Sequence, residues 1–392
     1  MPTILHGLFL FLLCLLVYTY FGYPLLLLGL NRWKRSRALS VFAPTLTNPP
    51  SVTLMVPVHN EERVLSAKLD NIAQLQYPGT WEVMFVLDGS TDRSREIIQQ
   101  RAATSSVSLK FYETPSRVGK EVALRQALPQ TIGEVLVFSD ADSMYQPDVL
   151  TKLVGALQNE KVGAACGHEH HLPANSQGAG EGEGLFYRYE NYVKRLMCGV
   201  TSLTYIQGGV FGIRRIDYPT EITPGLTQDG VIAFSLVLKG LQVVFVEDAI
   251  STEIYALSSG EDFRRRVRTI TRAFSSVVAY WRVLLPWKTG TFGFHLISHR
   301  VLRWWLLPIM LIFLALNLYL IGDGPVFQMS LVLQILFYTA AFVGWMLERN
   351  RIRLKVFYVP FYFCYMHYAA MCGVIGALFG RRVAIWTPST RA

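Results

Sequence analysis

With 392 residues, 51% of them apolar and only 17% charged, the chain has room for two or three domains and is too apolar for an ordinary soluble enzyme of its size. Its net charge of +9 does not indicate nucleic acid, because the basic residues cluster at the ends of apolar segments and in Arg264–Arg272; anionic lipid and an anionic substrate are the better partners. Five cysteines show no metal spacing and three lie inside apolar segments, which excludes a disulfide frame.

Ile4 to Leu30 is nearly free of charge, long enough to span a bilayer with tilt and too long for the core of a cleaved signal. It predicts a retained anchor over residues 1–30. Arg32, Lys34, Arg35 and Arg37 follow at once, which predicts a cytoplasmic side for residues 31–300.

From Ser51 to about Tyr255, apolar runs alternate with helical periodicity. That pattern predicts an α/β domain (31–260) with a mostly parallel sheet covered on both faces. Val52–Val58 reads as a first strand, ending in His59-Asn60-Glu61-Glu62 and followed by a helix over 63–75. Trp81–Leu87 reads as a second strand, closed by Asp88-Gly89-Ser90-Thr91-Asp92, with Thr91 or Asp92 able to cap the next helix. No Gly-x-Gly-x-x-Gly follows the first strand, which disfavours a dinucleotide-binding enzyme. Glu61 and Asp88 stand where a nucleotide base and ribose would be gripped, since carboxylates accept hydrogen bonds from ring N–H and hydroxyl groups. Taken alone, Asp88-Gly89-Ser90 is read more simply as a turn and a cap.

A third strand over 109–112 leads to Ser116-Arg117-Val118-Gly119-Lys120, where glycine permits a tight turn and lysine offers a point charge to phosphate. The fourth strand, Val135–Phe138, runs into Asp140-Ala141-Asp142. Two hard carboxylates at the carboxyl edge of a sheet can hold Mg²⁺ or Mn²⁺ and leave sites on the ion for diphosphate oxygens. A surface turn is the bland alternative.

Gly167-His168-Glu169-His170-His171 sends two histidines to one face of a strand, but no fourth ligand for zinc is visible, and a loop near an acceptor cleft is the better reading. Gly178–Gly184 reads as a mobile loop. Gln228-Asp229-Gly230 opens the helix Val231–Leu238; Asp229 is either its N-cap or a general base for an acceptor hydroxyl. Within Arg264–Arg272, Arg264, Arg268 and Arg272 share one helical face. The segment 261–300 therefore predicts amphipathic interfacial helices, with Trp281 and Trp287 as anchors, and one or two guanidiniums, Arg265 and Arg268 foremost, reaching a departing diphosphate.

Three apolar segments, Val301–Ile321, Phe327–Leu347 and Phe357–Phe379, predict C-terminal membrane helices within 301–380, with Trp304, Trp305, Tyr358 and Tyr362 at their flanks. The basic loop Glu348–Lys355 belongs on the cytoplasmic side. Counting on sends the tail 381–392 outside, although it carries Arg381, Arg382 and Arg391 against the usual charge rule. The spans hold almost no ionisable residues of the kind that mark a transport path.

Together and in this order, these motifs resemble those of the membrane-bound, cellulose-synthase-like family 2 glycosyltransferases, and the resemblance runs from the anchor to the last span. Val56-Pro57-Val58-His59-Asn60-Glu61-Glu62, Asp88–Asp92, Arg117–Lys120, Asp140-x-Asp142, Gln207-Gly208-Gly209 and Asp229 are the residues that carry it. Tyr187-Arg188-Tyr189-Glu190 is also similar to the family and has no role assigned. The resemblance implies a GT-A fold, a nucleotide-diphosphate sugar donor (UDP favoured over GDP), a Mg²⁺ or Mn²⁺ ion and inversion at the anomeric carbon.

The same resemblance implies donor contacts from Pro57, His59, Asn60, Glu61, Asp88, Lys120 and Asp140, and metal ligation by Asp140 and Asp142. It further implies a donor and acceptor loop of Gln207, Gly208, Gly209 and Gln228, and catalysis by Asp229, Arg265 and Arg268. Two positions depart from the family. Its processive members carry Gln-x-x-Arg-Trp where this chain reads Arg265-Arg266-Val267-Arg268-Thr269, and the acidic residue before the base is Gln228. The expected protein is a non-processive transferase in the plasma (inner) membrane, acting on a lipid-linked or polysaccharide acceptor. The rivals are a processive polysaccharide synthase and a non-catalytic nucleotide-sugar-binding component.

Overall fold

A computed structural model describes residues 2–34, 46–173, 181–255, 259–350, 352 and 354–381. Its centre is one eight-stranded sheet: β1 (Val52–Val58), β2 (Trp81–Asp88), β3 (Ser108–Thr114), β4 (Val135–Phe138), β5 (Ser143–Tyr145), β6 (Val162–Pro173), β7 (Phe211–Arg214) and β8 (Gln242–Tyr255). The order across the sheet is β3-β2-β1-β4-β7-β6-β8-β5. The first four strands are mutually parallel, as the alternating pattern predicts. β6 and β8 are also parallel, whereas β7 runs antiparallel to both β4 and β6, and β5 antiparallel to β8, so the sheet is mixed with parallel pairings in the majority. The antiparallel pairings all involve β5 or β7, two short strands beyond Asp140.

Both faces of the sheet are covered, which explains the unbroken apolar runs of β1, β2 and β4. Val52, Leu54, Val56 and Val58 point into one core with Leu65, Leu69 and Ile72 of the helix Glu62–Ala73. Met55, Leu136 and Phe138 point into the other, which also contains Ile232 and Phe234 of the helix Gln228–Leu238. That second core continues into the membrane part of the chain, taking in Tyr23, Leu27, Phe292, Trp304, Ala370 and Val374. The sheet domain and the helices beneath it therefore share one packed interior.

Thr3–Trp33 is apolar and long enough to cross a bilayer, and so are Pro325–Arg349 and Lys355–Leu378. The first C-terminal segment differs from the single helix expected over Val301–Ile321. Phe292–Trp304 and Leu306–Tyr319 meet at a bend of 64°, and the second arm has only 14 residues, about 21 Å at 1.5 Å per residue. It nevertheless runs beside the first helix, with the Phe9 and Phe313 ring centres 4.9 Å apart and His6 2.7 Å from Asp323. The helix Ser259–Ala279 packs lengthwise on Lys355–Leu378. Gly373 makes this possible, since a Cβ there would lie 2.9 Å from the Ile270 Cβ. Part of the segment read as a Gly-rich loop, residues 181–184, belongs to the helix Glu181–Cys198, while residues 178–180 lie outside the described residues. Arg35, Arg37, Arg351, Arg353 and the tail beyond Arg381 also lie outside them.

Candidate active site

The carboxyl ends of β1, β2 and β4 and the loop after β3 open on the same edge, the usual ligand edge of such a sheet. Pro57 lies two residues past Met55, where the pairing of β1 with β4 ends, so its missing N–H costs no ladder bond on that side. Asn60 takes φ 55°, a left-handed conformation that asparagine tolerates, and its Oδ1 accepts the Thr91 N–H at 2.8 Å. The His59 Nδ1–H donates to the Asp88 carbonyl at 2.6 Å. Glu61 stands at the start of the helix Glu62–Ala73, its N–H donating to Ser94 Oγ at 3.1 Å. Asp92 accepts the N–H groups of Ser94 at 3.0 Å and Glu62 at 2.9 Å, so it ties two helix starts together rather than capping one.

The Asp88 carboxylate accepts the Val118 N–H at 2.7 Å and the Gly119 N–H at 2.9 Å. Both oxygens shape the 115–119 loop, a role the sequence did not suggest for this residue. Gly89, at φ 58°, is required there, because a Cβ would fall 2.5 Å from the Arg117 nitrogen. Gly119, at φ 98°, then starts the helix Lys120–Ala127 and aims Lys120 across the edge. Lys120 Nζ donates to Asp140 Oδ1 at 2.5 Å. Burial would lower the Lys120 pKa, but the Asp140 carboxylate lifts it above its ordinary value, so the ammonium keeps its charge.

Opposite stands Asp229, the second residue of the helix Gln228–Leu238; Thr227, not Asp229, holds the N-cap position. Burial raises the Asp229 pKa to about 7, with Lys120 and Arg272 opposing and Glu169 and Glu121 assisting. Gly208 lets the neighbouring loop approach, since a Cβ on it would sit 3.2 Å from Asp229 Oδ1. Glu169 holds that loop from the other side, accepting the Gly209 N–H at 2.9 Å and the Gln207 amide at 3.2 Å. Gln228 does not join this group: its amide donates to the Tyr218 hydroxyl at 3.2 Å in the core.

The arginines sort into distinct roles. Arg266 is structural, paired with Asp262 at 2.7 Å and donating to the Tyr362 hydroxyl at 2.6 Å. Arg272 is locked by Glu121 and the Leu226 carbonyl. Arg264 is exposed. Arg265 acts electrostatically on Glu169 and Glu253. Arg268 makes no hydrogen bond or ion pair to any described residue, and burial, then Arg272 and Arg265, push its pKa down. A guanidinium held half-buried beside two others has the charge to attract an anion.

Burial raises the pKa of Glu169, and it lifts Glu253 to about 9 with help from the charges of Asp142, Glu169 and Asp140. Crowded carboxylates of this kind are relieved by a cation. Asp140 and Asp142 offer hard oxygen donors, fitting Mg²⁺ or Mn²⁺, and among the described residues no group of three or more His, Cys, Asp or Glu is arranged to hold an ion without further ligands. Substrate oxygens would have to complete the coordination. The Asn191 Nδ2–H donates to His168 Nε2 at 2.8 Å, which draws the histidine toward the helix Glu181–Cys198.

That helix gives the unassigned Tyr189-Glu190 pair a place. Glu190 is buried against Arg303 and lies 3.4 Å from His299, and the Arg303 guanidinium also stacks on Tyr20 and Tyr189 at 5.0 and 5.3 Å. Sequence reasoning passed over Glu121, Glu253 and Lys68 as well. None sits in a motif, and their signal is purely spatial.

Residues 53–217 match the profile of the family described as Glycosyl transferase family 2. They are a glycosyltransferase family 2 domain. Among relatives, an N-acetylglucosaminyltransferase of Sinorhizobium fredii is 26% identical over 258 residues, 60% of each chain. A beta-monoglucosyldiacylglycerol synthase of Nostoc sp. is 37% identical over 118 residues, 29% of this chain and 25% of its own. The chain thus spans 60% of the first relative's length and a quarter of the second's. Among solved structures, a mannosyltransferase of Pyrobaculum calidifontis in complex with GDP-Man and Mn²⁺ superposes with a TM-score of 0.71 at 22% identity, covering 96% of this chain and 99% of that one. At that identity the likeness is one of fold, and it extends over nearly the whole chain. The glycosyltransferase domain has the GT-A fold.

Proposed function

We propose that this chain is an inverting glycosyltransferase that moves a sugar from a nucleotide-diphosphate donor, UDP-linked by preference, to a membrane-associated lipid-linked or polysaccharide acceptor. The observation that carries this reading is the meeting of Asp229, with its pKa raised to about 7, and the Lys120–Asp140 pair across one sheet edge. A base needs a pKa near the working pH, and an unburied aspartate lies about three units too low. The chemistry is one in-line displacement. The acceptor hydroxyl attacks the anomeric carbon, the bond from that carbon to the β-phosphate oxygen breaks, and Asp229 takes the hydroxyl proton.

The nucleoside diphosphate departs with its charge against Lys120 and Arg268, whose guanidinium makes no hydrogen bond or ion pair among the described residues. Asp140 and Asp142 would hold Mg²⁺ or Mn²⁺, which when bound adds Lewis-acid stabilisation of the same diphosphate. Glu169 keeps the Gln207–Gly209 loop against Asp229, so that the acceptor path and the base share one wall.

Two further expectations belong to this reading. The domain faces the cytoplasm, on the strength of the basic residues that follow the first span. Transfer is non-processive, because the interfacial helix has the exposed Thr269 where a stacking tryptophan would hold a growing chain. The names of the relatives include N-acetylglucosaminyl and glucosyl transfer, and the structural neighbour binds GDP-Man, so the sugar must come from measurement. The test is nucleotide release by the detergent-purified protein from a panel of UDP- and GDP-sugars, with Mn²⁺ or EDTA and with lipid extract as acceptor. Metal-dependent release from one donor, lost in Asp229→Asn, is expected. Tight nucleotide binding with no release under any acceptor would sink the enzymatic reading in favour of a non-catalytic component, and long products would favour a processive synthase.

A further inference from the structure

Lys68 lies on the helix Glu62–Ala73 with 0% of its surface exposed, a rare position for lysine. Its ammonium donates to Ser139 Oγ at 2.6 Å and to the Ser143 carbonyl at 2.5 Å. It also sits 4.8 Å from the centre of the Tyr145 ring. The Tyr145 hydroxyl reaches the Phe138 carbonyl at 2.6 Å and the Gly209 carbonyl at 3.1 Å. Lys68 and Tyr145 thus grip both ends of the turn 139–143 from beneath, and that turn carries Asp140 and Asp142. Among the described residues no carboxylate accepts a hydrogen bond from this amine; burial lowers its pKa to about 7, and Asp142, then Asp140, oppose that shift. An apolar side chain of similar volume would fill this position at a smaller desolvation cost. A buried amine whose two acceptors both lie in the 139–143 turn therefore calls for a role beyond packing.

We propose that Lys68 is a positioning residue for the divalent cation: its two hydrogen bonds fix the 139–143 turn so that the carboxylates of Asp140 and Asp142 converge on one ion. This rests on reading those two aspartates as the metal ligands. Octahedral coordination by Mg²⁺ or Mn²⁺ tolerates little displacement of its oxygens, and loss of a supporting contact behind a ligand costs about 10–100-fold in metal affinity.

The test is Mn²⁺ binding by the full-length, detergent-purified protein in the presence of UDP or GDP, with the free ion read by electron paramagnetic resonance. Lys68→Met should raise the Mn²⁺ dissociation constant about 10–100-fold, with nucleotide release recovering most of its rate at saturating Mn²⁺. Ser139→Ala, which deletes one of the two acceptors and leaves the fold intact, should give a smaller rise in the same direction. A merely structural lysine would lower thermal stability alike with and without Mn²⁺ and leave the binding constant where it was. Binding within twofold of the parent in folded Lys68→Met, or in Ser139→Ala should the first variant not fold, overturns the proposal. Absence of Mn²⁺ binding by the parent itself, with nucleotide present, would instead overturn the assignment of Asp140 and Asp142.

Discussion

The two halves of the sheet are built in different ways. In the half from β3 to β4, each loop at the carboxyl edge is hydrogen-bonded to the loop after the neighbouring strand: Asn60 to Thr91, His59 to Asp88, Asp88 to Val118 and Gly119. In the half from β7 to β5, the charged residues are held by partners from other parts of the fold. Glu169 holds Gly209, Arg272 holds Glu121, and Glu190 on the helix Glu181–Cys198 is held by Arg303 in the membrane part. On the function proposed above, the first half would be the cradle for the donor, and the second half would tie Asp229 and the arginines to the apolar helices.

Asp229→Asn tests the second half most severely. It should reduce turnover by about 10²–10⁴-fold while leaving nucleotide binding unchanged. The same substitution should stabilise the protein at alkaline pH. The folded-state pKa of Asp229 is about 7, against about 4 unfolded, so the folded state holds a proton that the unfolded chain releases. That stabilisation is lost as pH rises through this window. A gain in Tm for Asp229→Asn at pH 8 that disappears at pH 4 is the expected signature, and for the parent, activity should rise with pH up to about 7 before levelling.

Next in size is the coupling to the membrane part. Arg303→Met leaves Glu190 buried with its strongest partner gone and should cost about 3–5 kcal/mol in thermal unfolding. Adding Glu190→Gln should return much of that loss. If both single variants were silent, the claim that the second half is anchored from below would fail.

Arg268→Ala should lower the turnover number by about 10²–10³-fold with little change in stability, because its guanidinium has no described partner to lose. Arg266→Ala, in contrast, should destabilise, since it breaks the contacts to Asp262 and Tyr362. A turnover defect in Arg266→Ala and none in Arg268→Ala would reverse the assignment of the arginine helix.

The smallest effect belongs to the cradle. Asp88→Asn keeps one acceptor oxygen for two backbone amides and should weaken donor binding by about 1.5–3 kcal/mol, read as a raised KM with little change in turnover. If instead turnover fell and KM held, the loop shaped by Asp88 would belong to the chemistry and the contrast between the halves would blur.

The readable parts of this chain are those whose physics is local. The first four strands stood out because parallel strands buried on both faces are unbroken apolar runs, and the turns after them because Gly89, Gly119 and Asn60 have few other uses. Asp140 and Asp142 could be named because they follow such a strand directly, and Asp229 because it opens an apolar-periodic helix. The mixed second half of the sheet was not readable, because an antiparallel insertion such as β7 is decided by which strand finds a free edge, not by periodicity. The broken helix pair at Trp304–Leu306 could not be told from a straight span, since hydropathy is blind to a 64° bend.

By itself, then, the sequence determined an α/β domain, the polar loops at its carboxyl edge, the basic helix and the apolar segments on either side. Only the tertiary structure decided that burial raises the pKa of Asp229, that Arg268 has no hydrogen bond or ion pair among the described residues, and that Gln228 turns away into the core. It also revealed Lys68 beneath the 139–143 turn. The physical reason is that propensity and periodicity act over a few residues, whereas burial and charge pairing join positions such as 121 and 272, or 190 and 303, that only folding brings together.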